Sequence, residues 1–159
     1  MKLAEFRQLV LHDGWEHHPL LVVLPFDIRY PEDGTATDRA TVEPAEDWPA
    51  SLPVETLVEP IKTRATHAFS EFITIGRAAN NDIVLVNPMI SIIHALFMAR
   101  EAGFVIQDRF SSNGTILNGL ELIAGKDYWV PDNSVIRFGN AVVARFVVPD
   151  SALQLAIDD

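Results

Sequence analysis

The stretch DRFSSNGTILNG, residues 108–119, decides how this chain is read. It opens on an acid and places Ser111, Ser112, Asn113 and Gly114 in consecutive positions, residue types that turn a chain and offer hydroxyl and amide groups. Thr115-Ile116-Leu117 then reads as a short strand, and Asn118-Gly119 is the strongest short signal for a type I′ hairpin turn. The same alternation of short apolar run and turn residues extends outward on both sides. Runs at 72–75, 83–86, 95–98, 104–107 and 135–138 each stop at Gly, Asn, Asp or a charged pair, and 142–148 supplies a last one. Strands of this length, spaced by about ten residues with no helical period between them, predict an antiparallel sandwich or barrel.

Ahead of Pro53 the texture is different. The first 60 residues hold 4 basic and 12 acidic side chains and seven of the ten prolines. Leu3, Phe6, Leu9 and Val10 recur at helical spacing, although a helix this short needs a surface to pack on. Residues 20–26 read as a strand, and Arg29 to Pro53 as an acidic connector rich in Pro, Ala and Thr, with Trp48 a candidate anchor. The expected organisation is an extension and connector over 1–53, a β domain over 54–150, and a tail over 151–159 that adds a helical turn or frays.

Bulk chemistry excludes several functions. At 159 residues and a formal charge of −10, the chain suits one domain and is a poor match for a polyanionic nucleic acid or an anionic lipid surface. The absence of cysteine removes disulfides, thiol nucleophiles and Cys-ligated metals. Glu5, Arg7 and Asp13 interrupt the N-terminal apolar residues, and the run at 19–26 falls short of the ~20 residues that span a bilayer, so a cytoplasmic protein without a membrane segment is expected. His12, Asp13, His17 and His18 do not follow a metal-ligand spacing, and the chain shows neither a nucleophile elbow nor a Gly-rich phosphate loop with its lysine. The expectation is a protein that is not an enzyme and uses no cofactor or metal.

Five separated pieces carry a more specific reading: Gly76-Arg77, Ser91-x-x-His94, the run from Asp108 to Thr115, Asn118-Gly119, and Phe138-Gly139. In order and spacing they resemble the forkhead-associated (FHA) domain family, as does the loop from Gly76 through Asn81 and Asp82 to Ile83. The resemblance covers the β region and says little about residues 1–53. It implies an all-β, FHA-type antiparallel β-sandwich of about eleven strands, here with a short N-terminal helix and strand extension. It also implies that loops at one end bind phosphothreonine in a partner protein. By that resemblance Arg77 and Ser91 hold phosphate oxygens, Ser112 shapes or contacts the phosphate, and Asn113 bonds the peptide main chain. Gly76, His94, Gly114, Asn118 and Gly119 would support the framework.

The chemistry fits those roles. A threonine phosphate carries about −1.5 to −2 charges and three acceptor oxygens, so it calls for a guanidinium fork and hydroxyl donors converging from rigid loops. Two departures matter. The family often places a cation or Asn after the serine, where this chain has Ile92; one charge-assisted hydrogen bond is worth about 1.5–3 kcal/mol. It also commonly has Leu-Gly between the Asp and the Ser, where this chain has Arg109-Phe110. Arg109 is therefore a candidate for restoring positive field, and Phe110 for an apolar contact. Ile92 and the acidic first 60 residues keep open an alternative, a phosphate-independent interaction or scaffold domain. The acidic connector would either stay clear of the binding loops or compete with ligand there.

Overall fold

The computed structural model describes residues 1–11, 18–26, 48–49, 51–62 and 72–157. They form two packed sheets with a helix at either end of the chain: α1 (Leu3–Leu11), β1 (Leu20–Val23), β2 (Leu57–Pro60), β3 (Phe72–Gly76), β4 (Ile83–Val84), β5 (Ala95–Arg100), β6 (Gly103–Asp108), β7 (Thr115–Leu117), β8 (Leu120–Glu121), β9 (Asp127–Trp129), β10 (Val135–Phe138), β11 (Val142–Val147) and α2 (Pro149–Ile157). Six strands join in the order β2-β1-β11-β10-β7-β8 and five in the order β4-β3-β5-β6-β9. All neighbours run antiparallel except β3 and β4.

Period-two alternation generates the core. In β11, Val142, Ala144 and Phe146 face inward, and Phe146 meets Phe97 of β5 across the sandwich in a stacked pair at 6.3 Å. Ile73, Ile75, Ile106, Ile136 and Phe138 complete the inner layer, all buried. Burying such side chains contributes about 1.5–3 kcal/mol each, which is what lets strands this short hold together.

The described residues before Pro53 are built into this body. β1 lies between β2 and β11, with Leu20 opposite both Val147 and Pro60. All four of its residues are buried, because a second apolar cluster covers the outer face of the six-stranded sheet. There Leu20, Val22, Val58 and Val147 pack against Leu3 and Phe6 of α1 and Ala152 of α2. An unbroken Leu-Leu-Val-Val run is what a strand buried on both faces requires. The helix period at 3–10 thus found its packing surface, and Trp48 does act as an anchor, packed on the same cluster with the Arg145 guanidinium 5.5 Å over its ring. Of the connector at 29–53, residues 29–47 and 50 lie outside the described residues.

Strands β8 and β9 escaped the sequence reading. Both residues of β8 are exposed, and in β9 only Tyr128 packs on the core, so neither writes a hydrophobic pattern. The run at 83–86 yields a strand of only two residues, with Leu85 N donating to the Gly76 carbonyl at 2.9 Å just beyond it. Beyond β11 the chain forms a helix, α2, opening at Pro149, a residue preorganised for a helix's first turn.

Because β1 is an interior strand, a chain beginning at Val54 is expected to lose its cooperative thermal transition. Circular dichroism on heating checks this; a sharp transition with native-like strand signal would show that β11 tolerates being an edge.

Candidate functional site

Three loops meet at one end of the sandwich. β3 closes on Gly76, where a Cβ would lie 2.4 Å from the Ile92 carbonyl oxygen, so only glycine lets the β4–β5 loop come this close. Across that contact Arg77 N donates to Ser91 O at 3.0 Å and Ala78 N to Ile92 O at 3.3 Å. Asn81, almost fully buried, fastens the same pair of loops through Nδ2 to Ile92 O at 2.7 Å and to Ala78 O at 2.9 Å.

The β4–β5 loop is then stitched to the β6–β7 loop. The Ser112 amide donates to Ser91 Oγ at 3.0 Å, and Asn113 Nδ2 donates to Met89 O at 2.9 Å. Buried His94 accepts from Ser91 N at Nδ1 (3.1 Å) and reaches Gly114 O with Nε2 (2.8 Å). A carbonyl only accepts, so the proton sits on Nε2 and the ring is neutral. Asp108 holds the β6–β7 loop from below, accepting from Ser111 N, Ser111 Oγ and Thr115 Oγ1.

Arg77 is half-buried at this rim, and its Nε donates to Ile90 O at 3.0 Å. Among the described residues Nη1 and Nη2 make no further hydrogen bond and no ion pair. The carboxylates of Asp82 and Asp108 are engaged elsewhere, Asp82 by the amide and hydroxyl of Thr74 and Asp108 by its own loop. Ser112 is exposed, and Ser91 Oγ, having accepted one bond, still has its own proton to give. The rim therefore sets a guanidinium and two hydroxyl-bearing residues on loops locked to one another.

Residues 73–139 match the family model for the FHA domain. This segment is an FHA domain. Solved structures agree on the fold: the FHA domain of the CT664 protein from Chlamydia trachomatis is 18% identical, covering 81% of this chain and 95% of that one with a TM-score of 0.53. The MEK1 FHA domain is 23% identical over 91% and 96%, with a TM-score of 0.51, and an FHA domain from an Arabidopsis thaliana hypothetical protein is 23% identical over 82% and 86%, also at 0.51. Among curated proteins no sequence match is found.

Within the FHA domain some residues lie apart from the rim. Arg109 turns its guanidinium to Gln107, Nη1 to Oε1 at 2.8 Å, and Gln107 in turn bonds Asp127, so its side chain belongs to an exposed polar row on β6 and β9. Ile92 is 60% exposed, its main chain serving the loop contact and its side chain facing solvent. Asn118 and Gly119 have φ of 48° and 83°, as a type I′ turn requires. That turn sits at the end of β7 away from the rim, where Asn118 braces β10 through Val135 N and Ser134 Oγ. It braces the fold at that end of β7. The His12, Asp13 and His17 grouping lies outside the described residues.

Three contributors went unassigned in the sequence reading. Met89 gives its carbonyl to Asn113, Asn87 fixes Met89 through Oδ1 at 2.8 Å, and Gly139 makes room for the Met89 carbonyl, which a Cβ would meet at 2.4 Å. Asn87-Pro88 was legible as a turn; the identity of a residue acting through its carbonyl was not.

His94 makes the rim sensitive to acid. Burial holds its pKa below the usual 6.5, against weaker opposing pulls from the Gly114 carbonyl and Asp108. The unfolded chain therefore takes up the proton first, and stability falls as pH drops below about 6.5 toward the folded value. His94→Ala is expected to cost about 1–3 kcal/mol for each buried group it orphans. Urea unfolding at pH 7.5 and 5.5 checks both points, since the variant should lose this share of the pH dependence.

Proposed function

We propose that the rim binds phosphothreonine in a partner protein, so that the chain is a recognition module in Ser/Thr phosphorylation signalling, acting in the cytoplasm. Arg77 grips the phosphate through its two terminal nitrogens, with Ser91 and Ser112 adding hydroxyl donors. Asn113, whose Nδ2 is engaged with Met89, offers Oδ1 to a peptide N–H. The carrying observation is the state of Arg77. A half-buried guanidinium anchored only through Nε has paid most of its ordering cost and still presents a fork.

The same groups argue for binding and against catalysis. They are donors suited to an anion, and the one histidine at the rim has both nitrogens committed, leaving no free base for proton transfer. A phosphate-independent scaffold is the second reading, favoured by exposed Ile92 where a further cation would strengthen the grip on phosphate.

Arg77→Ala is expected to weaken a phosphothreonine peptide by roughly ten- to hundredfold, from the loss of about 1.5–3 kcal/mol of charge-assisted bonding. Calorimetric titration against the phosphorylated peptide and its unmodified twin checks it. Equal affinity for the two peptides would hand the case to the scaffold reading.

A further inference from the structure

Arg145 carries a charge that no described acid answers. It lies on the outer face of the six-stranded sheet, in β11 between Val22 of β1 and Val135 of β10. Its Nε is buried and has no hydrogen-bond partner. Among the described residues the guanidinium makes no ion pair, and its contact is with the Trp48 indole, 5.5 Å from the ring centre. A donor left unpaired away from water is costly, and native structures rarely keep one without a reason. Attraction to the face of an indole returns only part of that cost.

A pocket of about 250 Å³ adjoins this side chain. Its floor is apolar, made of Val22 and Val147, both buried. Trp48 adds a flat aromatic surface, and Ser151 and Gln154 line the α2 side. Asp132 is the acid joined to that lining, through Ser151 Oγ, and its capacity is taken up. Its two oxygens also accept from Val148 N, Asn133 N and Asn133 Nδ2, so it holds the start of α2 and leaves Arg145 unpaired. The pocket is also remote from the rim. Gly139, just before β11, meets Met89 of the rim loops, whereas the pocket lies at Val147, where β11 ends.

We propose that this pocket binds a small organic acid, its carboxylate on the Arg145 guanidinium and its apolar or aromatic body between Trp48 and the two valines. The lining selects this class. A guanidinium pairs with a carboxylate through two parallel N–H bonds, and an indole beside a valine floor favours a hydrophobic body over a hydrated ion. The volume falls just under the ~300–1,000 Å³ of sites for drug-sized ligands, so the guest is about one ring with a short acid arm. A single cation in a chain of net charge −10 also favours a monoanion over a phosphate dianion. The site shares no residue with the phosphothreonine rim and does not rest on that reading.

Heating the full chain with benzoate, phenylacetate, benzamide or inorganic phosphate, at equal millimolar concentration and constant ionic strength, tests this. Benzoate and phenylacetate should raise the melting temperature progressively with concentration, as a ligand of the folded state does; benzamide and phosphate should not. In heteronuclear NMR spectra of wild type, the Trp48 indole and Arg145 Nε–H resonances should move with the two acids. Arg145→Met keeps the stem and removes the charge, and should weaken both acids by roughly tenfold or more. The resonances are read in wild type, so they decide the case even if Arg145→Met fails to fold. Acids that neither stabilise the protein nor move these resonances, an equal effect of benzamide or phosphate, or a response that survives in Arg145→Met overturns the proposal. Loss of the response in Arg77→Ala overturns it too, because the acids would then be bound at the rim.

Discussion

The loop end of the sandwich that carries Arg77 depends on a buried, neutral imidazole that receives one hydrogen bond and gives another. His94 links the Ser91 amide, in a loop of the five-stranded sheet, to the Gly114 carbonyl, at the start of a strand in the six-stranded sheet. Phe138 closes over its edge, ring centroids 5.8 Å apart. No other neutral side chain places an acceptor and a donor on opposite corners of one flat ring. Substitution by an aliphatic residue would separate the loops that hold Arg77, Ser91 and Ser112 in mutual register.

Close backbone contact does the rest. Gly76 and Gly139 each admit a carbonyl to a distance that any side chain would block, and Asn81 and Asn113 then convert those contacts into hydrogen bonds. The rim is therefore preorganised: its loops are already paired with one another, which would spare a ligand much of the ordering entropy that binding otherwise costs.

How much of this was legible in the sequence follows the length over which each feature is encoded. The core strands were readable because four or more residues of alternation or apolar run suffice to mark them, as at 72–75 and 142–148. The rim residues were readable only through their order, since Ser91-x-x-His94 or Asn118-Gly119 alone carries little information. The second apolar cluster was half legible: helical spacing of Leu3 and Phe6 announced a packing face, but its partner, the outer face of β1 and β11, arises from pairing distant in sequence. Strands β8 and β9 were not legible, because exposed two- and three-residue strands are fixed by neighbours and not by their own side chains. Where Arg109 points was equally hidden, since its partner Gln107 is itself held by Asp127 across the β6–β9 register, a pairing distant in sequence.

The seating of β1 also bears on the order in which the molecule can be assembled. Leu20 pairs with Pro60 on one side and with Val147 on the other, so during synthesis β1 keeps one edge unpaired until residues 142–147 have been made. A topology closed by such distant partners pays loop entropy before contact energy repays it, which slows folding. Until closure, an apolar Leu-Leu-Val-Val ribbon with an open edge is available to any passing strand. The newly made chain is therefore most vulnerable to mispairing at β1, a segment outside the rim loops.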